Sequence, residues 1–259
     1  MQLSRWRLTN LFLMAVLCFH GVINPPVGWD IIAYVGSAHS LLLNDKAEVH
    51  RRAYQDVKAA LNPELYNSLI TDYSTKERPS NYRSTLAINS EAFHQQLPYY
   101  KVRPLYIGAI ALIIQLGFNP AIFIFCISYL SALTIGILLF EWLKKITTPG
   151  IALILSIFTM GISTIPQFSG VATPDTLAAA LLVSWAYQLW FNTARWGWVL
   201  TAFALLLTRS DTLVYVLPSL WITLWCRNNL NVRQTFTIFP IALTLGLLAM
   251  YVLVAKWAG

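Results

Sequence analysis

Leu105-Tyr106-Ile107-Gly108-Ala109-Ile110-Ala111-Leu112-Ile113-Ile114-Gln115-Leu116-Gly117-Phe118-Asn119-Pro120 is the stretch on which the architecture turns. Its apolar run, Leu105 to Phe118, would be about 21 Å long as a helix. The hydrocarbon core of a bilayer is about 30 Å thick. The run is too short for a comfortable span, and Gly117-Phe118-Asn119-Pro120 is a stop-and-restart signal. It reads as a re-entrant or interfacial helix that returns the chain to the side on which it began.

Upstream, the chain opens with Arg5 and Arg7 and a first hydrophobic helix from Leu8 to Ile23. No small-x-small cleavage pattern precedes Asn24-Pro25-Pro26, so this is expected to be a retained helix with its basic end in the cytoplasm. Asn24 to Arg103 is of mixed polarity and holds eight of the 11 acidic residues: Asp30, Asp45, Glu48, Asp56, Glu64, Asp72, Glu77 and Glu91. Nine basic residues nearly balance them, as in a folded cap and unlike a disordered tail. Within it, Ile31 to Leu43 suits a helix packed on the membrane surface, and Lys46 to Leu61 is a charged helix stopped by Asn62-Pro63. Arg78 to Ser90 is polar with little periodicity.

Downstream, Ala121 to Leu143 crosses inward to Lys144-Lys145, and Ile151 to Ile165 returns to a short loop, Pro166 to Pro174. Asp175 to Phe191 crosses inward again. Trp198 to Thr208 and Thr212 to Trp225 form a hairpin with Arg209-Ser210-Asp211 at its outer tip, and Phe236 to Leu253 leaves once more. The cytoplasmic segments then hold Arg5, Arg7, Lys144, Lys145, Arg195, Arg227 and Arg233 against one acid, Glu141. Were Leu105 to Phe118 a span, five of those seven would move outside, against the positive-inside rule.

The fold class expected is therefore an all-α polytopic membrane protein of about seven transmembrane helices, with a large first extracytoplasmic loop containing interfacial helices. It forms a single membrane domain over 1–259: a first helix to 23, the loop over 24–120, and the remaining bundle over 121–259. Composition agrees, with 57% hydrophobic and 11% charged residues and a mean hydropathy of +0.57. The net charge of +7 flanks hydrophobic segments, so it sets topology and gives no reason to expect nucleic acid. Cys18, Cys126 and Cys226 lie in or at the ends of apolar runs and support neither a disulfide framework nor a metal cluster.

Four polar groups fall on the outer face of this topology: Trp29-Asp30, Tyr99-Tyr100-Lys101-Val102-Arg103, Thr173-Pro174-Asp175 and Arg209-Ser210-Asp211. Charge at membrane level costs roughly 2.5–3.5 kcal/mol per group, so such groups face a cavity or a partner. Asp30 is the candidate catalytic carboxylate; it could equally cap the helix that follows. Asp175 carries the same two readings. Arg209 suits a phosphate, through its planar fork, or a simple pair with Asp211. Lys101 and Arg103 sit at headgroup depth, as ligands or as snorkelling anchors. The candidate substrate-binding set is Tyr34, Tyr100, Lys101, Arg103, Tyr106, Asp175, Arg209 and Asp211. His94 and Glu91 lack metal-ligand spacing. No metal site and no definite cofactor are assigned, and participation of a divalent metal is left open.

Trp29-Asp30-Ile31-Ile32-Ala33-Tyr34 after the first helix resembles the GT-C superfamily of integral-membrane glycosyltransferases. So do Arg103-Pro104-Leu105-Tyr106 with its short helix, Pro174-Asp175-Thr176-Leu177-Ala178, and Leu207-Thr208-Arg209-Ser210-Asp211. The resemblance implies a short seven-helix module in a bacterial inner (plasma) membrane, with its N-terminus cytoplasmic. It implies a hexosyl- or pentosyltransferase that takes sugar from a polyprenyl-phosphate donor, with inversion, on the extracytoplasmic side. Asp30 would be the base, with Arg103 and Arg209 on the lipid phosphate; membrane lipid is a partner, and the acceptor (glycan, lipid or protein) stays open. Asp30 departs from the family's frequent acidic pair in standing alone. A transporter or lipid flippase is the first rival, but no internal repeat or mid-helix charge favours it. A catalytically silent membrane partner is the second.

Overall fold

A computed structural model describes residues 5–23, 25, 27–72, 81–191, 195–228 and 238–258, the side chains at 22, 195, 223–228, 238–240 and 258 excepted. The expected loop charges Lys76, Glu77 and Arg78 and the cytoplasmic Arg233 lie outside the described residues, as do the side chains of Arg195 and Arg227. The described residues are all-α, with no strand among them.

The chain runs through α1 (Arg5–Ile23), α2 (Asp30–His39), α3 (Lys46–Ala60), α4 (Pro63–Ile70), α5 (Tyr82–Ile88), α6 (Ser90–Gln96) and α7 (Pro98–Lys101). It continues with α8 (Pro104–Gln115), α9 (Pro120–Leu143), α10 (Pro149–Ile162), α11 (Ile165–Phe168) and α12 (Asp175–Phe191). α13 (Arg195–Thr208), α14 (Leu213–Asn228) and α15 (Ile238–Ala258) complete it.

Helices α2 to α7 make a cap, in which α3, α4 and α6 are each fixed at their start by a side-chain cap. Asp45 accepts from the Ala47 N–H at 2.9 Å, Asn62 from Leu65 at 2.8 Å, and Asn89 from Glu91 and Ala92 at 3.0 Å. These side chains satisfy N–H groups that a first turn leaves orphaned. α2 is the centre of the cap, with Ile31 to His39 buried without a break. It is not laid on a membrane surface as expected; apolar on every side, it is enclosed by its neighbours. Gly36 permits this, because a Cβ there would lie 2.5 Å from Phe93 Cζ. Arg78 to Ser90, read as aperiodic, contributes α5 and the start of α6.

The decisive segment is α8 and its turn. Phe118 N–H bonds Ile113 O at 3.2 Å and Gly117 N–H bonds Ile114 O at 3.0 Å, with Gly117 at φ 80°. That is a Schellman stop, which needs the left-handed conformation glycine adopts freely. Asn119 then caps α9 through Ala121 and Ile122, with Pro120 in its first turn. Both ends of α8 stay with the cap. Arg103 at its start lies over Tyr34 of α2, and Asn119 beyond its end donates to Asp56 O of α3 at 2.9 Å.

α9 therefore leaves from the cap end, and α1 runs antiparallel to it. Arg7 near the start of α1 forms a two-point pair with Glu141 near the end of α9, at 2.6 and 2.9 Å, and Lys144 joins it at 2.9 Å. At the cap end of α1, Ser169 donates to Cys18 O at 2.6 Å. Successive long helices then alternate in direction. Trp142 meets Tyr187 and Phe191 at the far end, and Arg209 meets Asp175 at the cap end. Of these helices α9 alone among the described residues is long and apolar enough to cross a membrane by length and composition. The outward faces of the bundle carry large apolar side chains, including Phe12, Phe19, Leu130, Phe158, Leu200 and Leu245.

Candidate functional site

Asp30 is the first residue of α2, but its carboxylate makes no cap bond to that helix. Its Oδ1 instead accepts the Tyr100 hydroxyl at 2.7 Å, across 70 positions of sequence. A capping role is thus replaced by a tertiary contact. Around it stands an aromatic wall: Trp29 packs edge-on to Tyr82 and Tyr100, with centroids 5.8 and 6.2 Å apart, and Tyr34 meets Tyr100 at 5.1 Å. Trp29 and Tyr34 are buried, whereas Asp30 is half-buried. Burial, and then the hydrogen bond to Asp30, raise the Tyr100 phenol far above its usual range. It is a donor to that carboxylate, never its base.

Tyr34 is the hub to which the other polar groups converge. The Arg103 guanidinium sits 5.5 Å from its ring centroid, a cation–π contact, with Nη1 donating to Tyr99 O at 3.3 Å. Burial raises the Tyr34 phenol; Arg103 and Arg209 oppose that rise, while Asp30 and Asp175 add to it. The groups of the loop and of the bundle thus share one electrostatic neighbourhood. Lys101 is half-buried, and burial lowers its ammonium. Tyr106 is fully buried under Tyr34, centroids 5.1 Å apart, with its hydroxyl unpartnered among the described residues. It supports the hub from beneath.

The hairpin tip closes the other side. Arg209 grips Asp211 with both arms of its fork, Nε to Oδ1 at 3.0 Å and Nη2 to Oδ2 at 2.6 Å. Its Nη1 donates to Asp175 Oδ1, and Thr173 donates to Asp175 Oδ2 at 2.9 Å. Arg209 raises its own pKa by these pairs and lowers that of Asp211, on which Arg103 also acts. Both alternatives weighed for Arg209 therefore meet a definite geometry: the fork is occupied by two carboxylates of this chain. Among the described residues Arg103 has no carboxylate partner within ion-pair distance. Below Asp175 opens an apolar cavity of about 390 Å³ lined by Ile135, Thr164, Ile165, Phe168, Thr176 and Ala179.

One pair lay beyond sequence reasoning. His39 at the end of α2 donates through Nε2 to Asp56 of α3 at 2.7 Å, with Nδ1 buried and without a partner among the described residues. Only packing brings these two residues together, and no spacing rule signals them. Among the described residues, no group of three or more His, Cys, Asp or Glu side chains is placed to hold a metal ion. No family model, curated protein or solved structure matches this chain.

Proposed function

We propose that the chain is a polytopic membrane glycosyltransferase that moves sugar from a polyprenyl-phosphate donor to an acceptor at its cap end. The observation that carries this reading is the half-buried Asp30, held by Tyr100 and sharing the surroundings of Tyr34 with the guanidinium of Arg103. Membrane insertion is supported by the large apolar side chains on the outer faces of the bundle, which a water-soluble protein of this size would bury. The charge distribution supports a sidedness too, with Glu141 neutralised by Arg7 and Lys144 at the end remote from the cap. Helices as short as α10, about 21 Å, are accommodated by local thinning of the bilayer.

In the reaction, Asp30 Oδ2 takes the proton of an acceptor hydroxyl as that oxygen attacks the anomeric carbon from the face opposite the leaving group. The bond from that carbon to the phosphate oxygen breaks, its electron pair stays on the departing polyprenyl phosphate, and the anomeric configuration inverts. Arg103 and Lys101 stabilise the extra negative charge. The ion-paired Arg209 shapes the pocket between Asp175 and Asp211 and does not clamp the phosphate. The cavity below Asp175 takes the first isoprene units.

Reconstitution in vesicles with a polyprenyl-phosphate sugar tests the reading. Transfer that vanishes in Asp30→Asn, with membrane expression unchanged, is the expected result. Binding without turnover would replace it with a silent partner protein, and solute movement across the vesicle with a transporter.

A further inference from the structure

A second cavity lies far from Asp30, at the end of the bundle remote from the cap. It measures about 360 Å³, and its lining includes Arg7, Asn10 and Leu11 of α1, Ile137 and Glu141 of α9, and Tyr187 of α12. That volume lies within the range of ligand pockets, about 300–1,000 Å³. Leu11 and Ile137 belong to the exposed apolar face of the bundle, so the cavity opens on the side where lipid would lie.

The polar side chains of that lining hold donors without acceptors. Asn10 is only 1% exposed; its Oδ1 accepts the Ser156 hydroxyl at 3.1 Å, and its Nδ2 has no acceptor among the described residues. Arg7 gives Nε and Nη2 to Glu141 at 2.6 and 2.9 Å, which leaves Nη1 uncommitted among them. The Tyr187 hydroxyl, also in the lining, makes no hydrogen bond among the described residues. Lys144 donates to the same carboxylate at 2.9 and 3.0 Å. Two cations thus meet one anion, in a cluster whose side chains are 16–34% exposed. One positive charge is left over where water screens it poorly, and a counter-ion would stabilise it.

We infer that this cavity binds one anionic glycerophospholipid through its phosphodiester. The free phosphate oxygens accept from Arg7 Nη1 and Asn10 Nδ2, with Tyr187 as a third donor. The single negative charge completes the cluster of Arg7, Glu141 and Lys144, and the start of an acyl chain lies along Leu11 and Ile137. A zwitterionic headgroup would bring an ammonium to a cluster already one charge positive. Inorganic phosphate would leave Leu11 and Ile137 uncovered. Such a lipid joins α1 to α12 across α9. The inference rests on the membrane placement proposed above, and not on sugar transfer.

The test places the full chain in phosphocholine nanodiscs doped with a phosphoglycerol or a phosphocholine probe. Each probe carries a photoreactive group near the ester end of an acyl chain, and peptide mapping follows. The phosphoglycerol probe is expected to label residues 137–141 about tenfold more than the phosphocholine probe. Lipid that merely surrounds the bundle labels the exposed Ile151 and Ile154 of α10, where the two probes are expected to match. Arg7→Lys keeps a cation on Glu141 but loses the free arm, and Asn10→Leu removes the buried donor. Each should bring the preference at 137–141 close to parity while α10 labelling is retained. Lys145→Gln removes an exposed charge outside the cavity and should leave the preference intact. Equal labelling by the two probes, equal effects of Lys145→Gln and Arg7→Lys, or displacement of the probe by inorganic phosphate would each overturn the assignment. Absence of label from α10 as well would overturn the membrane placement, whereas its absence from 137–141 alone would overturn this site. Loss of sugar transfer would touch neither.

Discussion

The hydroxyl of Tyr100 donates to Oδ1 of Asp30 at 2.7 Å, so that a residue of the loop's closing segment fixes the carboxylate that opens α2. One oxygen is thereby committed, and Oδ2 is left for chemistry. Removing the hydroxyl while keeping the ring should free the carboxylate to rotate and leave the aromatic packing against Tyr34 and Trp29 in place. A hydrogen bond to a charged group contributes about 1.5 kcal/mol, or roughly tenfold in rate. Tyr100→Phe is expected to lower kcat for transfer about tenfold, against a loss of about 10²–10⁴ for Asp30→Asn. Initial rates of sugar transfer in vesicles measure both. Wild-type kcat in Tyr100→Phe would mean that Asp30 needs no such anchor.

Arg209 is expected to matter for stability more than for donor affinity, because Asp211 and Asp175 occupy its fork. Arg209→Gln leaves Asp175 and Asp211 without their shared cation at a site open to solvent, at a cost of about 1 kcal/mol or less. Arg209→Gln with Asp175→Asn should recover part of that loss, since the repulsion falls with one charge gone. Thermal unfolding in detergent across the double-mutant cycle reads the coupling. Arg103→Gln should instead raise KM for the donor and leave Tm close to wild type. If the two substitutions exchange these signatures, Arg209 is the phosphate ligand.

How much of this was legible beforehand depends on the range of the forces. The stop at Gly117 and the restart at Asn119-Pro120 are written in backbone chemistry a few residues long, and they stand where the sequence places them. Asp175 opens α12 as read, and Asn62-Pro63 ends α3 and starts α4. α5 and α6 escaped because segments this short carry little periodicity; the Asn89-Ser90-Glu91 start was the available signal. α2 looked like a surface helix because its sequence cannot say that α3, α7 and α8 enclose it. The pair of Arg209 with Asp211 was one of the two readings of the sequence, but its contact with Asp175 was hidden, for Asp175 lies 34 residues away and reaches it only once α12 and α13 pack.

The approach of α2 to α6 at Gly36 sets two effects against each other. Alanine would improve helix propensity by about 1 kcal/mol. Its Cβ, however, would fall 2.5 Å from Cζ and 2.7 Å from Cε1 of Phe93, a ring with no exposed surface and hence no room to swing. Overpacking of this kind costs about 1–3 kcal/mol, so the clash is expected to win. Gly36→Ala should speed proteolysis of the cap while the bundle stays intact, and Phe93→Leu should restore protection to the double variant. A Gly36→Ala cap as resistant as wild type would show that α2 and α6 are not packed this closely.

Acid should loosen the cap by a route that can be assigned to residues. Hydrogen bonds from Arg51 and Arg52 hold the Glu48 carboxyl near pKa 2, below its ordinary 4.5. The Ser84 hydroxyl and the N–H groups of Arg83 and Ser84 depress Asp72 below 3.8, tying the end of α4 to the start of α5. Both carboxyls have folded pKa values lower than their unfolded ones. Their stabilisation is therefore complete above about pH 4.5–5 and falls away as pH drops toward 2. Limited proteolysis of the cap, in which Trp29 is buried against Tyr82 and Phe93, reports the change. Urea midpoints of that protection should fall slightly between pH 7 and 5, where burial of His94 opposes its protonation, and more steeply below pH 5, with a shallower decline there in Asp72→Asn. Glu48→Gln should flatten it further, because α3 then has no protonating carboxyl between its two arginines. A decline of unchanged slope in the double variant would move the acid sensitivity elsewhere, to the Asp211 carboxyl that Arg209 also depresses at the hairpin tip.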